Sequence, residues 1–228
     1  PITVNGNLTL SSSFLNDNGN TITVKGNIAS NGSHSGSGKI LLSGGAAAHG
    51  VEGSGWNNVE LDDAQGATLS AAFTIGTAGT FTLTNGVVSM NNFDFTINNT
   101  TGGLAGSGFS ATKMILQNGT GGFIRSIANS GLPVTYVYPI GENTGTTEYS
   151  PVSITVNTNT SVGNLEMRVT DSQHPSDIAT TNYASRYWTA ATVPASLSSY
   201  TATFGYTAAD IVGTESTFDV MTYDGTST

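Results

Sequence analysis

Apolar and polar residues alternate in short runs along the first part of the chain, and these runs recur. The run Ile2-Thr3-Val4-Asn5-Gly6-Asn7-Leu8 returns almost unchanged as Ile22-Thr23-Val24-Lys25-Gly26-Asn27-Ile28. Successive side chains of a strand point to opposite faces, so Ile and Val face one side and Thr the other. The glycine that follows permits a sharp corner. Short strands that end in corners and recur about every 20 residues are typical of a β-solenoid, whose coils bury their apolar faces by stacking.

Five looser copies of the run follow the first two. They begin at residues 40, 59, 81, 95 and 115, so the spacings along the whole series are 20, 18, 19, 22, 14 and 20. We therefore expect residues 1–131 to form about seven coils of a right-handed parallel β-helix with about 20 residues per coil. The Gly- and Ser-rich segments Asn31 to Gly38 and Gly44 to Gly55 interrupt the period and are expected to protrude as corner loops.

From Leu132 the alternating runs are longer, and their turn-rich connections predict antiparallel strands. Six candidate strands lie at 134–138, 152–156, 165–169, 186–189, 200–206 and 218–223. Only Ser176 to Ala184 could hold a turn or two of helix, so the predicted class is all-β. We expect residues 132–228 to form a β-sandwich-like domain.

The ends of the chain favour a fragment of a longer secreted protein. No basic and apolar leader precedes Pro1, so any signal peptide is expected upstream or already removed. The chain stops at Thr228, directly after a strand-like run, so the sandwich is expected to be truncated.

The amino-acid composition argues against several classes of protein. Only 9% of the 228 residues are charged, with 29 Gly and no Cys, whereas about a quarter charged is usual for a globular protein. The 37% apolar content argues against disorder. A net charge of −9 disfavours nucleic acid and anionic membrane surfaces as partners. No apolar run approaches the roughly 18 residues needed to span a membrane.

Three short motifs carry a resemblance. Tyr138-Pro139-Ile140-Gly141, then Tyr149-Ser150-Pro151-Val152, then Tyr187-Trp188-Thr189, follow the Asn- and Gly-rich repeats. The chain thereby resembles large surface proteins of Bacteroidetes, in which β-helical repeats lead into a β-sandwich module, as in type IX secretion cargo and adhesins. The resemblance covers most of the chain and implies an extracellular or cell-surface location. Export by that route would require a sorting domain beyond Thr228.

Candidate sites in this sequence are sparse. Trp56, after the Gly-rich segment that contains His49, could offer an aromatic face to a sugar ring, although packing under its own loop is the alternative. Glu60 could lie on the outer face of the same coil. Together these three residues are the candidate ligand-binding set.

Calcium is the one cofactor that the sequence suggests. Asp62 and Asp63 lie next to a corner, and Asp17 lies in a run that resembles a calcium loop in composition, so these three are the candidate ligands. A single carboxylate supplies too few ligands, and a turn is the alternative role for Asp17. The three histidines, at positions 34, 49 and 174, lack metal-ligand spacing, and no Cys is available for zinc.

Three functional classes follow from these observations. The first is a non-catalytic structural or adhesive segment whose partners are other surface proteins or glycans. An exposed terminal coil would favour end-to-end self-association unless neighbouring domains cap it. The second is a carbohydrate-binding or polysaccharide-degrading β-helix, in which a lyase would pair Ca²⁺ with a basic residue. The third is an ice-binding solenoid, which needs an unbroken outward ladder of Thr, and Leu41 and Glu60 interrupt that ladder.

Overall fold

A computed structural model describes residues 1–193, 197–219 and 222–224. Half of the chain is in strands, and the described helices are two short 3-10 turns, Ala208–Asp210 and Glu215–Thr217. Up to residue 127 the strands are β1 (Ile2–Val4), β2 (Leu8–Leu10), β3 (Phe14–Asn16), β4 (Thr21–Val24), β5 (Ile28–Ser30), β6 (Ser33–Ser35), β7 (Lys39–Leu42), β8 (His49–Trp56), β9 (Val59–Asp62), β10 (Ala67–Ile75), β11 (Phe81–Asn85), β12 (Val88–Ser89), β13 (Phe95–Ile97), β14 (Leu104–Ala105), β15 (Ile115–Leu116) and β16 (Phe123–Ile127). From residue 134 they are β17 (Val134–Tyr138), β18 (Ile140–Glu142), β19 (Glu148–Tyr149), β20 (Val152–Asn159), β21 (Gly163–Thr170), β22 (Tyr183–Ala184), β23 (Tyr187–Val193), β24 (Leu197–Phe204) and β25 (Ile211–Val212).

The repeated Ile-Thr-Val runs stack as the first wall of a parallel β-solenoid. This six-stranded sheet has the order β1-β4-β7-β9-β11-β14. Ile2 pairs with Ile22, and Ile22 with Ile40, so apolar residues of successive coils lie above one another. At about 4.8 Å between neighbouring strands, the five gaps give this wall a length of about 24 Å. The predicted all-β solenoid is confirmed.

Two of the seven predicted copies belong to a different wall. Phe95 pairs with Phe73, and Ile115 pairs with Val88, within a second, twelve-stranded sheet. The sixth strand of the first wall is instead β14. The spacing of 14 residues therefore separates a strand of the first wall from a strand of the second wall. The sequence pattern did not distinguish them because both walls have the same apolar-polar alternation.

The two segments predicted as protruding loops are strands in the stack. Within them, β6 pairs with β3 on a third wall, and β8 lies between β5 and β10 on the second. Their glycines suit this stacking because a neighbouring backbone lies directly against them. A Cβ on Gly32 would lie 2.1 Å from the Ser13 carbonyl oxygen, and one on Gly53 would lie 1.9 Å from that of Ser30.

The second part of the chain is antiparallel and continues the second wall. β16 pairs in parallel with β13 on one side and antiparallel with β21 on the other, and β23 follows β21. A separate antiparallel sheet has the order β17-β20-β24. The two sheets meet where the rings of Trp188 and Phe204 lie 5.0 Å apart.

Five of the six predicted antiparallel strands are confirmed, as β17, β20, β21, β23 and β24. In the sixth, residues 218, 219, 222 and 223 are not in a strand, and residues 220 and 221 lie outside the described part of the chain. Residues 176–184, the one segment that could have held a turn or two of helix, form no helix. A tight turn closed by the Asp177 amide and the His174 carbonyl is found there instead, and β22 then pairs with β25.

One hydrophobic core runs through both parts. It extends from Leu10 in the first coil to Val169 in β21. β18 also continues the parallel stack by pairing with β15, beyond the predicted boundary at residue 131. The domain boundary and the handedness of the solenoid stay predictions.

Arg125 and Tyr136 lie buried where the solenoid meets the antiparallel sheets. The guanidinium lies 5.3 Å from the centre of the Tyr136 ring and donates to the carbonyls of Val137 and Gly102. The Tyr136 hydroxyl donates to the Thr100 carbonyl at 2.7 Å and accepts from the Ala128 amide at 2.8 Å. Burial lowers the pKa of Arg125 and raises that of Tyr136. These contacts join the loop after β13 to β16 and β17.

Candidate functional site

The densest group of charges surrounds the buried guanidinium of Arg186. Its Nε donates to Asp210 Oδ1 at 2.8 Å, and Nη1 donates to Ser150 Oγ at 2.8 Å. Nη1 and Nη2 each lie 3.3 Å from Glu142 Oε1, and Nη2 also contacts Glu148 and Asp171. We name Arg186 and its four carboxylates the Arg186 cluster.

The cluster is assembled from five separate segments. Glu142 ends β18, Glu148 begins β19, and Asp171 follows β21. Arg186 precedes β23, and Asp210 ends the first 3-10 helix. The cluster therefore ties the second wall to the chain that follows β24.

Charge in the cluster is unequal, with four carboxylates around one guanidinium. The side chains of Arg186, Glu142 and Asp210 are 0%, 3% and 2% exposed. Burial alone would lower the pKa of Arg186, but the hydrogen bond and charge of Asp210, with the charges of Glu142 and Glu148, outweigh it and raise that pKa. Arg186 therefore stays charged and supplies the counter-charge for the buried carboxylates.

Three of these carboxylates have the chemistry of a cation site. Oxygens of Glu142, Glu148 and Asp171 lie within 4.8 Å of one another. Glu148 and Asp171 also line a cleft of about 260 Å³. Carboxylate oxygens are the ligands that Ca²⁺ prefers, but here Arg186 donates to all three carboxylates and already supplies a counter-charge.

The residues predicted to bind Ca²⁺ are not brought together. Asp17 accepts hydrogen bonds from the Gly19 and Gly38 amides and from His34, so its carboxylate organises a turn. Asp63 is equally engaged, with the amides of Gly45 and Gln65 and with His49. Asp62 is exposed at the end of β9. Among the described residues the only acidic group of metal-binding geometry is the one in the Arg186 cluster.

Trp56 and His49 lie in the interior of the solenoid. Trp56 is 0% exposed, and its Nε1 donates to the Glu52 carbonyl at 3.0 Å, so it presents no ring face to a sugar. His49 is 1% exposed between the Gly26 carbonyl and Asp63. Coil stacking buries both because β8 is an inner strand of the second wall.

Glu60 lies on the outer face of the first wall, as predicted. It forms an ion pair with Lys39 and accepts from Thr84 Oγ1 at 2.6 Å. Burial alone would raise the pKa of Glu60, but the hydrogen bonds from Lys39 and Thr84, with the charge of Lys39, outweigh it and lower that pKa. An open groove of about 390 Å³ runs past this pair and is also lined by Thr21, Asn58, Thr80 and Thr82.

The outward-facing side chains at the centre of the first wall are not all threonine. Cross-strand pairing aligns Thr3, Thr23, Leu41, Glu60, Thr82 and Ala105 in successive coils. Three of these six positions interrupt the threonines, so the predicted break in the ladder is confirmed. A flat Thr array of the ice-binding type is therefore not formed on this face.

Sequence reasoning missed the Arg186 cluster, although a signal for it existed. The three motifs that carried the family resemblance converge there: Gly141 pairs with Tyr149, and Trp188 Nε1 donates to the Ser150 carbonyl at 3.1 Å. Ser150 Oγ in turn accepts from Arg186. The motifs marked the place, but their spacing along the chain did not reveal the carboxylates.

These features define the class of protein, a parallel β-solenoid that continues into antiparallel sheets. Within the described residues no helix is long and apolar enough to cross a membrane. No protein-family model matches the chain, and neither a curated protein nor a solved structure does so.

Proposed function

We propose that this chain is a non-catalytic structural or adhesive segment of a large extracellular or cell-surface protein. The observation that carries the proposal is the continuous core from Leu10 to Val169, together with the strand β16 that belongs to both parts. A rod without a break at the junction can hold a contact surface at a fixed distance and orientation. The resemblance to Bacteroidetes surface proteins supports the location and the type IX route, and the absence of cysteine is compatible with export.

The spacer role is tested by measuring rigidity. Because the chain has no Cys, cysteines introduced at Thr9 and Thr189, both exposed strand positions, can be spin-labelled selectively. A single narrow distance distribution between the labels is expected. A broad or two-peaked distribution would show a hinge between the two parts and contradict a rigid spacer.

Self-association end to end is part of the same proposal. Within the described residues β1, β2 and β3 each pair with one other strand, and Ile2 is 58% exposed whereas its repeat equivalent Ile22 is 5% exposed. Open strand edges of this kind favour pairing with further strands. Sedimentation velocity should show a concentration-dependent dimer that Ile2→Lys abolishes; a monomer at all concentrations contradicts this part of the proposal.

A carbohydrate-binding role is the second candidate, and the groove beside Glu60 favours it. Hydroxyl, amide, ammonium and carboxylate groups lie together there, and sugar hydroxyls can both donate to and accept from such groups. Other surface glycans or proteins are the partners in either case. The lining has no aromatic side chain, so hydrogen bonds would have to carry the binding.

A glycan-array and polysaccharide-depolymerisation screen, with and without Ca²⁺, separates these roles. Binding that is lost in Glu60→Gln but kept in Lys25→Ala, an exposed lysine outside the groove, would establish the second candidate. Cleavage of a polysaccharide would overturn the non-catalytic proposal. No binding and no cleavage would favour the spacer.

A further inference from the structure

The groove beside Glu60 runs along the axis of the solenoid. Thr21 pairs with Lys39 across β4 and β7, and the register of β7, β9 and β11 extends this row to Asn58 and Thr80. All of them line the groove. They come from successive coils, so the row crosses three strand gaps, or about 14 Å at a spacing of 4.8 Å. A ligand that fills the groove is therefore extended along the axis.

The threonine hydroxyls that line the groove are unused. Thr21, Thr80 and Thr82 are half-buried, and none of their hydroxyls hydrogen-bonds to another described residue. By contrast, the hydroxyl of Thr84, which does not line the groove, donates to Glu60 at 2.6 Å. A hydroxyl offers one donor and two acceptor sites. Both ends of the groove therefore present free hydrogen-bonding groups, from Thr21 at one end and from Thr80 and Thr82 at the other.

Lys39 and Glu60 place a donor next to an acceptor in the middle of the groove. The two side chains form an ion pair and are 42% and 13% exposed. The ammonium group has three N–H donors, and the Glu60 carboxylate uses one of them. Adjacent hydroxyls of a sugar ring match this arrangement, since one can accept from Lys39 while the other donates to Glu60.

The charges of the groove favour an uncharged ligand. Lys39 and Glu60 are the charged residues of the lining, and they neutralise each other. The groove therefore has no spare positive group to balance an acidic sugar. The net charge of −9 also gives the chain a field that opposes the approach of a polyanion.

We propose that this groove binds an internal stretch of a linear, uncharged polysaccharide laid along the solenoid axis. Adjacent hydroxyls of one sugar unit contact Lys39 and Glu60, and neighbouring units contact Thr21 on one side and Thr80 and Thr82 on the other. The inference rests on the carbohydrate-binding role proposed above and names the substrate class and its direction. Because the groove lies on a wall of the solenoid, it fits the middle of a long chain.

A length series measured by isothermal titration calorimetry tests the axial arrangement. The probes are cello-, manno- and xylo-oligosaccharides, each from the disaccharide to the hexasaccharide. Affinity for at least one series should rise with length until the groove is filled and then level off. Equal affinity for the disaccharide and the hexasaccharide of every series, or binding of none of the three series, would overturn the proposal.

A charged homologue tests the preference for a neutral chain. Mannuronate oligosaccharides carry a carboxylate where the manno-oligosaccharides carry a hydroxymethyl group, and they should bind at least about tenfold more weakly than the best neutral series. Added salt should leave the affinity for the neutral series unchanged, since salt screens only interactions between charges. Tighter binding of the mannuronates, or an affinity for the neutral series that falls steeply with salt, would contradict an uncharged ligand.

Three substitutions locate the sugar. Thr21→Val and Thr80→Val each remove a hydroxyl from one end of the groove, and each should weaken hexasaccharide binding about two- to tenfold, as expected for one hydrogen bond. Lys39→Met should weaken it at least as much. Thr96→Val should have no effect, because Thr96 is a half-buried strand residue on β13 and does not line the groove.

The pattern of losses separates this inference from the role on which it rests. Binding that persists in all three groove variants would place the sugar elsewhere and overturn the groove, while the carbohydrate-binding role would stand. A loss confined to Thr21→Val or to Thr80→Val would contradict the axial arrangement alone. Absence of glycan binding throughout the array described above would remove the carbohydrate-binding role itself.

Discussion

Arg186 Nε donates to Asp210 Oδ1 at 2.8 Å across 24 residues of sequence, and both side chains are buried. The pair fixes the chain after β24 against the start of β23. Glu142, also buried, accepts from the same guanidinium. The Arg186 cluster thus stabilises the contact between segments that lie far apart in the sequence.

Replacing Arg186 by Met should destabilise the protein strongly. Removing one partner of a buried ion pair leaves uncompensated charge and typically costs about 3–5 kcal/mol. Arg168→Met is the matched control, because Arg168 is 33% exposed and its ion pair with Glu166 lies at the surface, where such pairs contribute about 0–1 kcal/mol. Equal losses in urea unfolding of the two variants would refute the structural role of the cluster.

Tyr136→Phe should weaken the junction between the two parts. The change leaves the Ala128 amide and the Thr100 carbonyl without their partner, and an unsatisfied buried group costs about 1–3 kcal/mol. Tyr200→Phe, at a position 54% exposed, should change the unfolding free energy by less than about 0.5 kcal/mol. Thermal denaturation of both variants measures the difference, and an unchanged Tyr136→Phe would contradict the junction described above.

The Asp63 carboxylate should contribute stability that acid removes. Burial alone would raise its pKa, but hydrogen bonds from Gln65, Gly45 and His49, with the charge of His49, outweigh this and lower it. A carboxyl with a depressed folded pKa contributes fully above its unfolded value of about 4 and loses that contribution as the pH falls. The difference in unfolding free energy between wild type and Asp63→Asn should therefore shrink below about pH 4; a constant difference down to pH 2 would contradict this assignment.

Gly53→Ala should disrupt the stacking of β8 on β5. The new Cβ would lie 1.9 Å from the Ser30 carbonyl oxygen, and the backbone there has a φ of +87°. Crowding of this kind costs about 1–3 kcal/mol, and the left-handed conformation adds about 1–2 kcal/mol. Gly6→Ala, where nothing lies within 4 Å of the Cβ position, is the control. Equal melting temperatures for the two variants would show that the close approach is not present in solution.

The repeats of the first wall could be predicted from the sequence because their signal is local. Ile2-Thr3-Val4 and Ile22-Thr23-Val24 share one alternation, and strands with one alternation stack in register. The antiparallel strands β17, β20 and β21 were predictable for the same reason, since side-chain direction along a strand depends only on neighbouring residues. The outward direction of Glu60 followed from the same rule.

The sequence by itself therefore determined the all-β class, the period of the first wall and most of the longer strands. Tertiary structure decided which wall Phe95 and Ile115 joined, because an apolar-polar alternation is the same on every wall. Tertiary structure also decided that the Gly- and Ser-rich segments form strands. The backbone of a neighbouring coil lies so close to Gly53 that no Cβ would fit there, and this contact cannot be seen in the sequence. The Arg186 cluster depended on it entirely: its residues span positions 142 to 210, and chain folding alone brings their charges within hydrogen-bond distance.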